Sequence, residues 1–374
     1  MAHRVTATGE TTTLADRKRR AGQRLIIGFK GASVPPELRA MLREWTPAGF
    51  ILFKHNVEEP AQVLELNREL TDLIPDATPP LLTVDQEGGR VMRIRDGVTR
   101  WPPLMWVGNA AQLRLTAAAA RAMADEVYAM GFNMNWGPVA DINSNPKNPV
   151  IGDRAFGNKP GDVSKHVATW IRETQARGVM ACAKHFPGHG DTSQDSHLHL
   201  PIVEKELPDL LENERKPFEA AVAAGVAAIM TAHVVFPDLE EDYPATMSPR
   251  ILKGWLREEM GYKGLIVSDD LEMKAVRGRF DLEEQLERGC RGTLDIFLPC
   301  HDQAMQQSCF EQLIRLQEDD PLHHLLAEDS ERRINAARER FLLNRPAQPP
   351  LEILDSPAHR DLASQIRARG EGIA

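Results

Sequence analysis

The segment at residues 184–197, KHFPGHGDTSQDSH, concentrates side chains that could transfer protons, bind a metal or contact a polar substrate. It holds one lysine, three histidines and two aspartates, and it follows the apolar run VMACA at residues 179–183. That run is typical of a buried strand, and the proline and glycines after it indicate a loop. Because polar groups at the mouth of a buried strand lose hydration, a purely structural loop would avoid so many of them. The pattern therefore predicts a site of chemistry.

Two other interpretations of this segment are open. It could be a solvated turn, although turns seldom need so many titratable groups. It could instead hold a metal ion, for which the possible ligands are His185, His189, Asp191, Asp195, His197 and His199. The spacing matches no compact zinc pattern, and the proline and glycines argue against a helix that would present two ligands on one face. We therefore predict no metal and no other cofactor.

Three segments together resemble the signatures of family 3 glycoside hydrolases, in particular the bacterial β-N-acetylglucosaminidases of peptidoglycan recycling. They are TVDQEGGRV at residues 83–91, KHFPGHGD and the later DSH within residues 184–197, and GYKGLIVSDDLEM at residues 261–273. The segments stand in the family's order, and the resemblance extends over residues 20–345. It implies a cytoplasmic enzyme that removes terminal N-acetyl-β-glucosamine from cell-wall fragments by double displacement.

The resemblance also implies roles for individual residues. Asp269 would be the nucleophile, and His197 would be the acid/base, oriented by Asp195. The residues implied for sugar binding are Asp85, Arg93, Arg154, Lys184 and His185. The chemistry suits these residue types, because a retaining glycosidase needs a carboxylate nucleophile. An imidazole, whose unperturbed pKa is about 6.5, exchanges protons near neutral pH without special burial.

The residues alone leave other roles open. His189 is a second candidate for the acid/base, although its glycine neighbours suggest a backbone role at a turn. Asp269 could cap the helix that follows its strand, although Asp270 is the better placed capping residue. Arg93 could merely form an ion pair with Glu87. Each of these alternatives predicts a different set of contacts.

The composition excludes several classes of protein. With 374 residues, 42% of them hydrophobic and 26% charged, the chain has the make-up of a soluble globular protein. The net charge of −9 and the single short basic cluster at residues 17–20 argue against nucleic acid as a partner. No apolar run is long enough for a membrane span, and the run at residues 25–29 is too short for a signal peptide. The four cysteines lack metal or redox spacing, so we expect reduced packing residues in a cytosolic protein.

The pattern along the chain predicts an α/β fold, a closed (β/α)8 barrel of the TIM type. The predicted strands are residues 25–29, 50–53, 81–84, 133–136, 179–183, 227–231, 265–267 and 296–298. They are continuous apolar runs that alternate with amphipathic stretches, as buried parallel strands require. A doubly wound open sheet is the alternative, but no Gly-x-Gly-x-x-Gly turn follows the first strand. Asp85, His185 and Asp269 all follow strands, and such barrels carry their active sites at that end.

We expect three parts: a polar N-terminal segment at residues 1–20, a catalytic barrel at residues 21–345, and a linker with a helical tail at residues 346–374. Glycines 131, 178, 225 and 261 follow predicted helices where left-handed caps are expected. The barrel should close with a helix over residues 329–343, with Ser330 near its start. The tail helix, residues 356–368, should begin at a Ser-Pro pair. Since the tail has no site motif, catalysis should survive its deletion, unless the tail docks on the barrel.

Two rival functions remain at this stage. A β-glucosidase of the same family would act without the 2-acetamido group of the substrate. A barrel that binds sugars without cleaving them would be expected to lack Asp269 or His197, and both are present. The expected partner is a small carbohydrate, an N-acetylglucosamine-containing muropeptide, rather than nucleic acid or a membrane. The sequence leaves open the oligomeric state, the preferred aglycone and whether water or phosphate accepts the sugar.

Overall fold

A computed structural model describes residues 13–74, 79–192 and 200–372 of the chain. Its strands are β1 (Ile26–Ile27), β2 (Gly49–Leu52), β3 (Leu81–Val84), β4 (Gln86–Gly88), β5 (Val91–Met92), β6 (Met134–Asn135), β7 (Met180–Phe186), β8 (Ala228–Thr231), β9 (Leu265–Asp270) and β10 (Ile296–Leu298). All except β4 and β5 form one parallel sheet in chain order. The predicted (β/α)8 barrel is confirmed, and all eight predicted barrel strands are present.

The sheet closes on itself between β10 and β1. Leu25 pairs in parallel with Phe297, whose backbone N–H donates to the carbonyl of Arg24 at 2.8 Å. Neighbouring strand residues point to opposite sides of the sheet. Ile26 therefore belongs to the apolar cluster inside the barrel, while Ile27 belongs to the cluster between the strands and the surrounding helices. Both sides are buried, which explains why the strands are continuous apolar runs.

Helices surround the barrel. They are α1 (Leu14–Gly22), α2 (Pro36–Leu42), α3 (Pro60–Asp72), α4 (Leu104–Asn109), α5 (Leu113–Ala129), α6 (Pro160–Ala176), α7 (Leu207–Asp209), α8 (Arg215–Ala223), α9 (Lys274–Arg277), α10 (Leu282–Arg291), α11 (Gln303–Asp319), α12 (Pro321–Leu342) and α13 (Pro357–Gly370), with π-helical segments at Leu210–Glu214 and Arg250–Glu259. The predicted glycine caps are confirmed, since Gly131, Gly178, Gly225 and Gly261 have φ of 88°, 84°, 72° and 69°. Within the described residues, no helix combines the length and apolar character needed to cross a membrane.

The closing helix covers the N-terminal end of the barrel, but its predicted start is wrong. It begins at Pro321, and the side chain of Asp320 accepts a hydrogen bond from the N–H of Leu322 at 2.8 Å. Ser330, predicted near the start, is buried in mid-helix and donates to Asp295 at 3.0 Å. The helix is therefore longer than predicted, and an aspartate before a proline provides its N-terminal cap.

Two further features differ from the expected organisation. The predicted boundary at residue 20 falls inside α1, which begins with a capping box between Thr13 and Asp16. Directly after β3, strands β4 and β5 form an antiparallel hairpin that the sequence did not predict. The hairpin leaves the barrel at its C-terminal end, so it stands beside the place where the predicted site residues gather.

The C-terminal tail docks on the barrel. Helix α13 lies against α4 and α5 and buries Ala363 and Ile366. At its end, a Cβ on Gly370 would lie 2.0 Å from the carbonyl oxygen of Trp106, so the two backbones are in close contact. Upstream, the hydroxyl of Tyr128 donates to the carbonyl of Pro346 at 3.0 Å. The alternative that the tail docks on the barrel is therefore correct. Ser356 caps the tail helix, which begins at Pro357 of the predicted Ser-Pro pair and ends at Gly370, two residues later than predicted.

A buried carboxylate connects the tail to the loop that supports the hairpin. Glu126 lies 2.8 Å from Nδ1 of His359 in the tail and accepts a hydrogen bond from the hydroxyl of Thr99 at 2.6 Å. The same carboxylate accepts from the indole N–H of Trp101 at 3.2 Å. The carbonyl of Trp101 in turn accepts from the N–H of Gly89, at the tip of the hairpin, at 2.9 Å. The tail is thus connected to the hairpin by hydrogen bonds through Glu126 and Trp101.

The four cysteines are free and buried. Burial raises the pKa of each thiol: Cys182, Cys290, Cys300 and Cys309. The prediction that they are packing residues is confirmed, and none of them forms a disulfide.

Candidate active site

A cavity of about 770 Å³ opens at the C-terminal ends of the barrel strands. The acidic and basic side chains that line it are Asp85, Glu87, Arg90, Arg93, Arg154, Lys184, His185, His189, Asp269, Asp270, Glu272, Lys274 and His301. Six of the eight predicted site residues are among them. The other two, Asp195 and His197, lie outside the described residues.

Asp85 binds two cations at the end of β3. Its Oδ1 lies 2.8 Å from Nζ of Lys184, and its Oδ2 accepts a hydrogen bond from Arg93 at 2.9 Å. Burial alone would raise the pKa of Asp85, but the positive charges of Lys184 and Arg93 hold it well below its usual range. The carboxylate is therefore ionised at neutral pH. The alternative pairing of Arg93 with Glu87 is wrong, because the partner of Arg93 is Asp85.

Glu87, in β4, is a site residue that the sequence analysis missed. It accepts a bidentate hydrogen bond from Arg154, with oxygen–nitrogen distances of 2.8 and 2.9 Å, and lies 2.6 Å from Nζ of Lys184. Burial opposes ionisation of Glu87, but Arg154 and Lys184 lower its pKa to about 2. The signal available in the sequence was its position two residues after Asp85. In the structure the two carboxylates share one cation, Lys184.

Asp141 is a second missed residue, and it holds His185. Its Oδ2 lies 2.8 Å from Nδ1 of His185, and its Oδ1 accepts from the backbone N–H groups of His185 at 3.1 Å and His189 at 2.7 Å. Burial would raise the pKa of Asp141, but the two histidines lower it, so the carboxylate only accepts hydrogen bonds. Nδ1 of His185 therefore carries the hydrogen of this contact. Nothing local in the sequence indicates Asp141. It lies in irregular chain after β6, whereas its partner His185 lies far along the sequence in β7.

His189 has the backbone role that its glycine neighbours suggested. Its N–H donates to Asp141, and its carbonyl accepts from the side chain of Asn148 at 2.8 Å. Its ring is buried, with Nδ1 2.9 Å from the hydroxyl of Thr192. Burial and the proximity of His185 lower the pKa of His189 to about 4. An imidazole with this pKa is neutral at pH 7 and is a poor proton donor there.

Asp269 stands near the end of β9. The strand continues through Asp270, whose N–H donates to Oδ1 of Asp269 at 2.8 Å. Burial would raise the pKa of Asp269, but His185, His233 and this N–H lower it, so the side chain is an ionised carboxylate. His233 was missed by the sequence analysis. Its ring is fixed by the hydroxyl of Thr246 at 2.9 Å and the carbonyl of Asp270 at 3.0 Å.

Neither aspartate caps the next helix. Helix α9 begins at Lys274, and its N-cap residue is Met273, which makes no side-chain cap. Asp270 instead accepts from the N–H of Glu272 at 3.0 Å and lies 3.3 Å from Nε2 of His301. The capping interpretations of Asp269 and Asp270 are therefore wrong, and Asp269 keeps one carboxylate oxygen for other contacts.

The arrangement limits which groups could exchange a proton. Asp85, Glu87 and Asp269 all have lowered pKa values, so none of the three holds a proton to donate at neutral pH. In the part of the chain that the structure describes, no three His, Cys, Asp or Glu side chains are grouped so as to hold a metal ion. The cavity thus offers an anionic nucleophile and several ion-paired groups that can hydrogen-bond the hydroxyls of a polar ligand.

The chain is similar to proteins of known class. Residues 20–337 match the glycosyl hydrolase family 3 N-terminal domain. A beta-hexosaminidase of Stenotrophomonas maltophilia (strain R551-3) is 35% identical over 290 residues, which cover 76% of this chain and 85% of that protein. A beta-hexosaminidase of Xylella fastidiosa (strain M23) is 36% identical over 294 residues, with the same coverage of 76% and 85%.

Solved structures give the same result. The family 3 β-N-acetylglucosaminidase from Paenibacillus sp. str. FPU-7 superposes with a TM-score of 0.89 at 36% identity, covering 94% of this chain and 68% of that one. NagZ from Neisseria gonorrhoeae, in complex with N-trifluoroacetyl-D-glucosamine, superposes with a TM-score of 0.77 at 27% identity, covering 92% and 97%.

Proposed function

The chain belongs to glycosyl hydrolase family 3 and is a glycoside hydrolase, and we propose that it is a retaining β-N-acetylhexosaminidase. Its substrate would be a cell-wall fragment that carries a terminal N-acetylglucosamine. The observation that carries the proposal is the ionised Asp269 at the end of a rigid barrel strand, inside a cavity with paired sugar-binding groups. The names of the similar enzymes support the type of sugar.

Asp269 would act as the nucleophile. Its Oδ1 is occupied by the N–H of Asp270, which leaves Oδ2 to attack the anomeric carbon. The bond from that carbon to the leaving oxygen breaks as the bond to Oδ2 forms, which gives a covalent glycosyl-enzyme that water then hydrolyses. The hydrogen bond from the N–H of Asp270 helps to keep the nucleophile ionised, because it favours the charged form of the carboxylate.

His197, oriented by Asp195, would donate the proton to the leaving oxygen and later accept one from water. The low pKa values of Asp85, Glu87 and His189 support this assignment, because they disfavour those groups as donors.

The sugar would be held by Asp85, Arg93, Arg154, Lys184 and His185. Lys184 illustrates how the pairing serves binding. Its ammonium group has three hydrogens, and Asp85 and Glu87 take two of them. The third is available to a sugar hydroxyl, and the two carboxylates fix the position of the nitrogen beforehand.

We place the enzyme in the cytoplasm. Four free, buried thiols are typical of a protein from a reducing compartment.

The deciding experiment compares chromogenic N-acetyl-β-glucosaminide with the matching β-glucoside, each with and without chelator. We expect rapid hydrolysis of the first alone, at a rate that the chelator does not change. Equal rates on both substrates would favour the β-glucosidase, and loss of activity with chelator would favour a metal enzyme. No hydrolysis of either would favour a sugar-binding barrel.

A further inference from the structure

The contacts of the chain on either side of residues 193–199 carry a further inference. Those seven residues contain Asp195 and His197. The described chain before them, residues 188–192, is called the first flank here, and the described chain after them, residues 200–205, the second flank. Because seven residues have a limited reach, the positions of the two flanks restrict where His197 can lie.

The first flank is anchored to the loop that follows β6. The side chain of Asn148 donates a hydrogen bond to the hydroxyl of Thr192 at 3.1 Å, and the side chain of Asn145 donates to the carbonyl of Thr192 at 3.3 Å. A Cβ on Gly190 would lie 1.6 Å from the carbonyl oxygen of Ile142, so the two backbones are in close contact. These contacts fix the first flank against the β6 loop.

The second flank is anchored to a different loop, the one that follows β8. The N–H of Val203 donates to the carbonyl of Val235 at 2.9 Å, and the N–H of Val235 donates to the carbonyl of Pro201 at 2.9 Å. Leu200 is buried in a small apolar cluster with Val235 and Ala275. Because the flanks pack on separate loops, a direct contact between them fixes their separation.

Lys205 makes that direct contact. Its Nζ, on the second flank, lies 3.6 Å from Oδ1 of Asp191 on the first flank. The same ammonium group donates to the hydroxyl of Ser144 at 3.3 Å, and that hydroxyl donates to Oδ1 of Asp191 at 3.1 Å. One lysine therefore joins the chain before residues 193–199 to the chain after them.

Glu214 supports the lysine from below. Its Oε1 lies 2.6 Å from Nζ of Lys205, and its side chain is only 3% exposed. Its Cγ lies 2.8 Å from the place that a Cβ on Gly188 would occupy, so Glu214 also packs against the first flank. It is the last residue of the π-helical segment Leu210–Glu214, and such irregular turns are frequent at functional sites. Both flanks thus contact the same ion pair.

We propose that Lys205 is a positioning residue for the acid/base, because it joins the two flanks and thereby sets the position of His197. The inference rests on the proposed function, in which His197 donates the proton to the leaving oxygen. Lys205 is not among the residues that line the active-site cavity, so it acts through the chain and not on the substrate. A displacement of about 1 Å at a reacting group costs up to about a hundredfold in rate, so a distant contact has a measurable effect.

The test compares two substrates that differ in their need for a proton. The leaving group of an activated aryl N-acetyl-β-glucosaminide departs without full protonation, whereas the β-1,4-linked disaccharide of N-acetylglucosamine needs the acid. Lys205→Met removes the charge and keeps most of the side-chain length. We expect it to lower kcat/KM for the disaccharide about tenfold relative to the aryl glycoside. Lys205→Arg keeps a cation and should restore most of that ratio.

A double-mutant cycle separates positioning from a general structural role. His197→Ala should lower the same ratio further than Lys205→Met does. In the His197→Ala background, Lys205→Met should lower the ratio no further, because the group that it positions is absent. A merely structural lysine would affect both substrates equally in either background. Lys216→Ala, which alters an exposed lysine on α8, is the matched control and should leave the ratio unchanged.

Asp191→Ala tests the same contact from the first flank and leaves the pair of Lys205 with Glu214 intact. It should lower the ratio about threefold, and it decides the matter if thermal unfolding shows that Lys205→Met does not fold. An equal fall for both substrates in the folded variants overturns the inference while leaving the proposed function intact. An unchanged ratio in His197→Ala overturns both the inference and the acid/base assignment. A wild type that hydrolyses neither substrate overturns the proposed function itself.

Discussion

Both ends of the barrel bury a cluster of charges, and the clusters differ in how fully their hydrogen bonds are satisfied. At the N-terminal end, the side chain of Asp295 is fully buried. It accepts hydrogen bonds from Arg257 at 2.6 Å, Arg333 at 2.7 Å, Ser330 at 3.0 Å and the N–H of Ile266 at 2.9 Å. Four donors saturate the two carboxylate oxygens. The carboxylate of Asp295 is therefore saturated within the protein, and it joins α12 to the strands.

At the C-terminal end, Asp85, Glu87, Lys184 and Arg154 form a comparable cluster that faces a cavity of about 770 Å³. Here a hydrogen of Lys184 remains available, and a ligand can complete the cluster. The comparison indicates that a buried ion cluster is structural where protein donors saturate its central carboxylate. Where the cluster faces a cavity and a charged group keeps a free hydrogen, the same chemistry is available for binding.

The largest effect should come from the nucleophile at the open end. Asp269→Ala should lower kcat by about four orders of magnitude, because the double displacement loses its covalent intermediate. The free energy of unfolding should change little, since Asp269 has no cation within ion-pair distance among the described residues. Mass spectrometry with a slow fluorinated sugar should find the label on Asp269 in the wild type.

Asp270→Asn is the matched control for this prediction. It removes the neighbouring carboxylate but leaves the proposed nucleophile, so the label should still be found on Asp269. A label on residue 270 of the wild type, or inversion at the anomeric carbon, would contradict the assignment.

The saturated cluster should show the opposite behaviour. Asp295→Ala leaves Arg257 and Arg333 without their shared partner, and it should lower the free energy of unfolding by about 3–5 kcal/mol. Asp85→Ala should lower the free energy of unfolding by only about 1 kcal/mol. Lys184 stays paired with Glu87, and water in the cavity can hydrate the groups that lose Asp85. The same substitution should abolish most activity. Urea denaturation and steady-state kinetics on both variants measure the contrast. Similar stability losses in the two variants would refute the comparison.

The tail should contribute to stability more than its lack of motifs suggests. Deletion of residues 346–374 exposes the surfaces of α4 and α5 and leaves Glu126 without His359. We expect a loss of about 3 kcal/mol in the free energy of unfolding, together with less soluble protein. Thermal unfolding of the truncated chain measures it.

Single substitutions separate the loss of packing on α4 and α5 from the loss of the contact between His359 and Glu126. His359→Ala removes one of the hydrogen-bond partners of Glu126 but leaves the tail docked, and it should have about a third of the effect of the deletion. Arg360→Ala, on the exposed side of the same helix, is its control. A truncated chain with wild-type stability would mean that the docked tail adds nothing to the fold.

The last expected effect is a pH dependence of stability that arises in the open cluster. The folded-state pKa of Glu87 is lowered to about 2 from its ordinary value of 4.5, so its contribution to stability is fully present above pH 4.5. That contribution is lost as the pH falls towards 2. In Glu87→Gln, the loss of unfolding free energy between pH 4.5 and pH 2 should be smaller than in the wild type by about 2 kcal/mol. Denaturant unfolding between pH 2 and pH 6 measures it, and an unchanged slope would show that other groups cause the acid sensitivity.

The parts of the molecule that the sequence predicted are those with local signals. The barrel strands are predictable because residues buried on both sides form continuous apolar runs, such as those of β3 and β9. Glycine caps are predictable because a left-handed residue there needs no Cβ. Asp85, Lys184 and Asp269 were found because each stands in or just after a strand, within a segment that resembles a family signature.

The missed parts depend on contacts between distant segments. Asp141 and His233 become site residues only because the barrel brings their loops beside His185 and Asp269. The β4–β5 hairpin has no alternating apolar pattern, since its residues pack on the loop around Trp101. By contrast, the start of α12 had a local signal, an aspartate followed by a proline, which the sequence analysis did not use.

The burial of all four cysteines has a practical consequence. A thiol reacts through its thiolate form, and burial both raises the pKa of these thiols and keeps reagents from them. The chain should therefore be almost inert to maleimides while it is folded. A single cysteine introduced by Lys54→Cys, at an exposed position next to Phe53 of the active-site cavity, would be the one site that accepts a fluorophore. Emission from that fluorophore could then follow the arrival and departure of a substrate in real time, against a background free of competing labels.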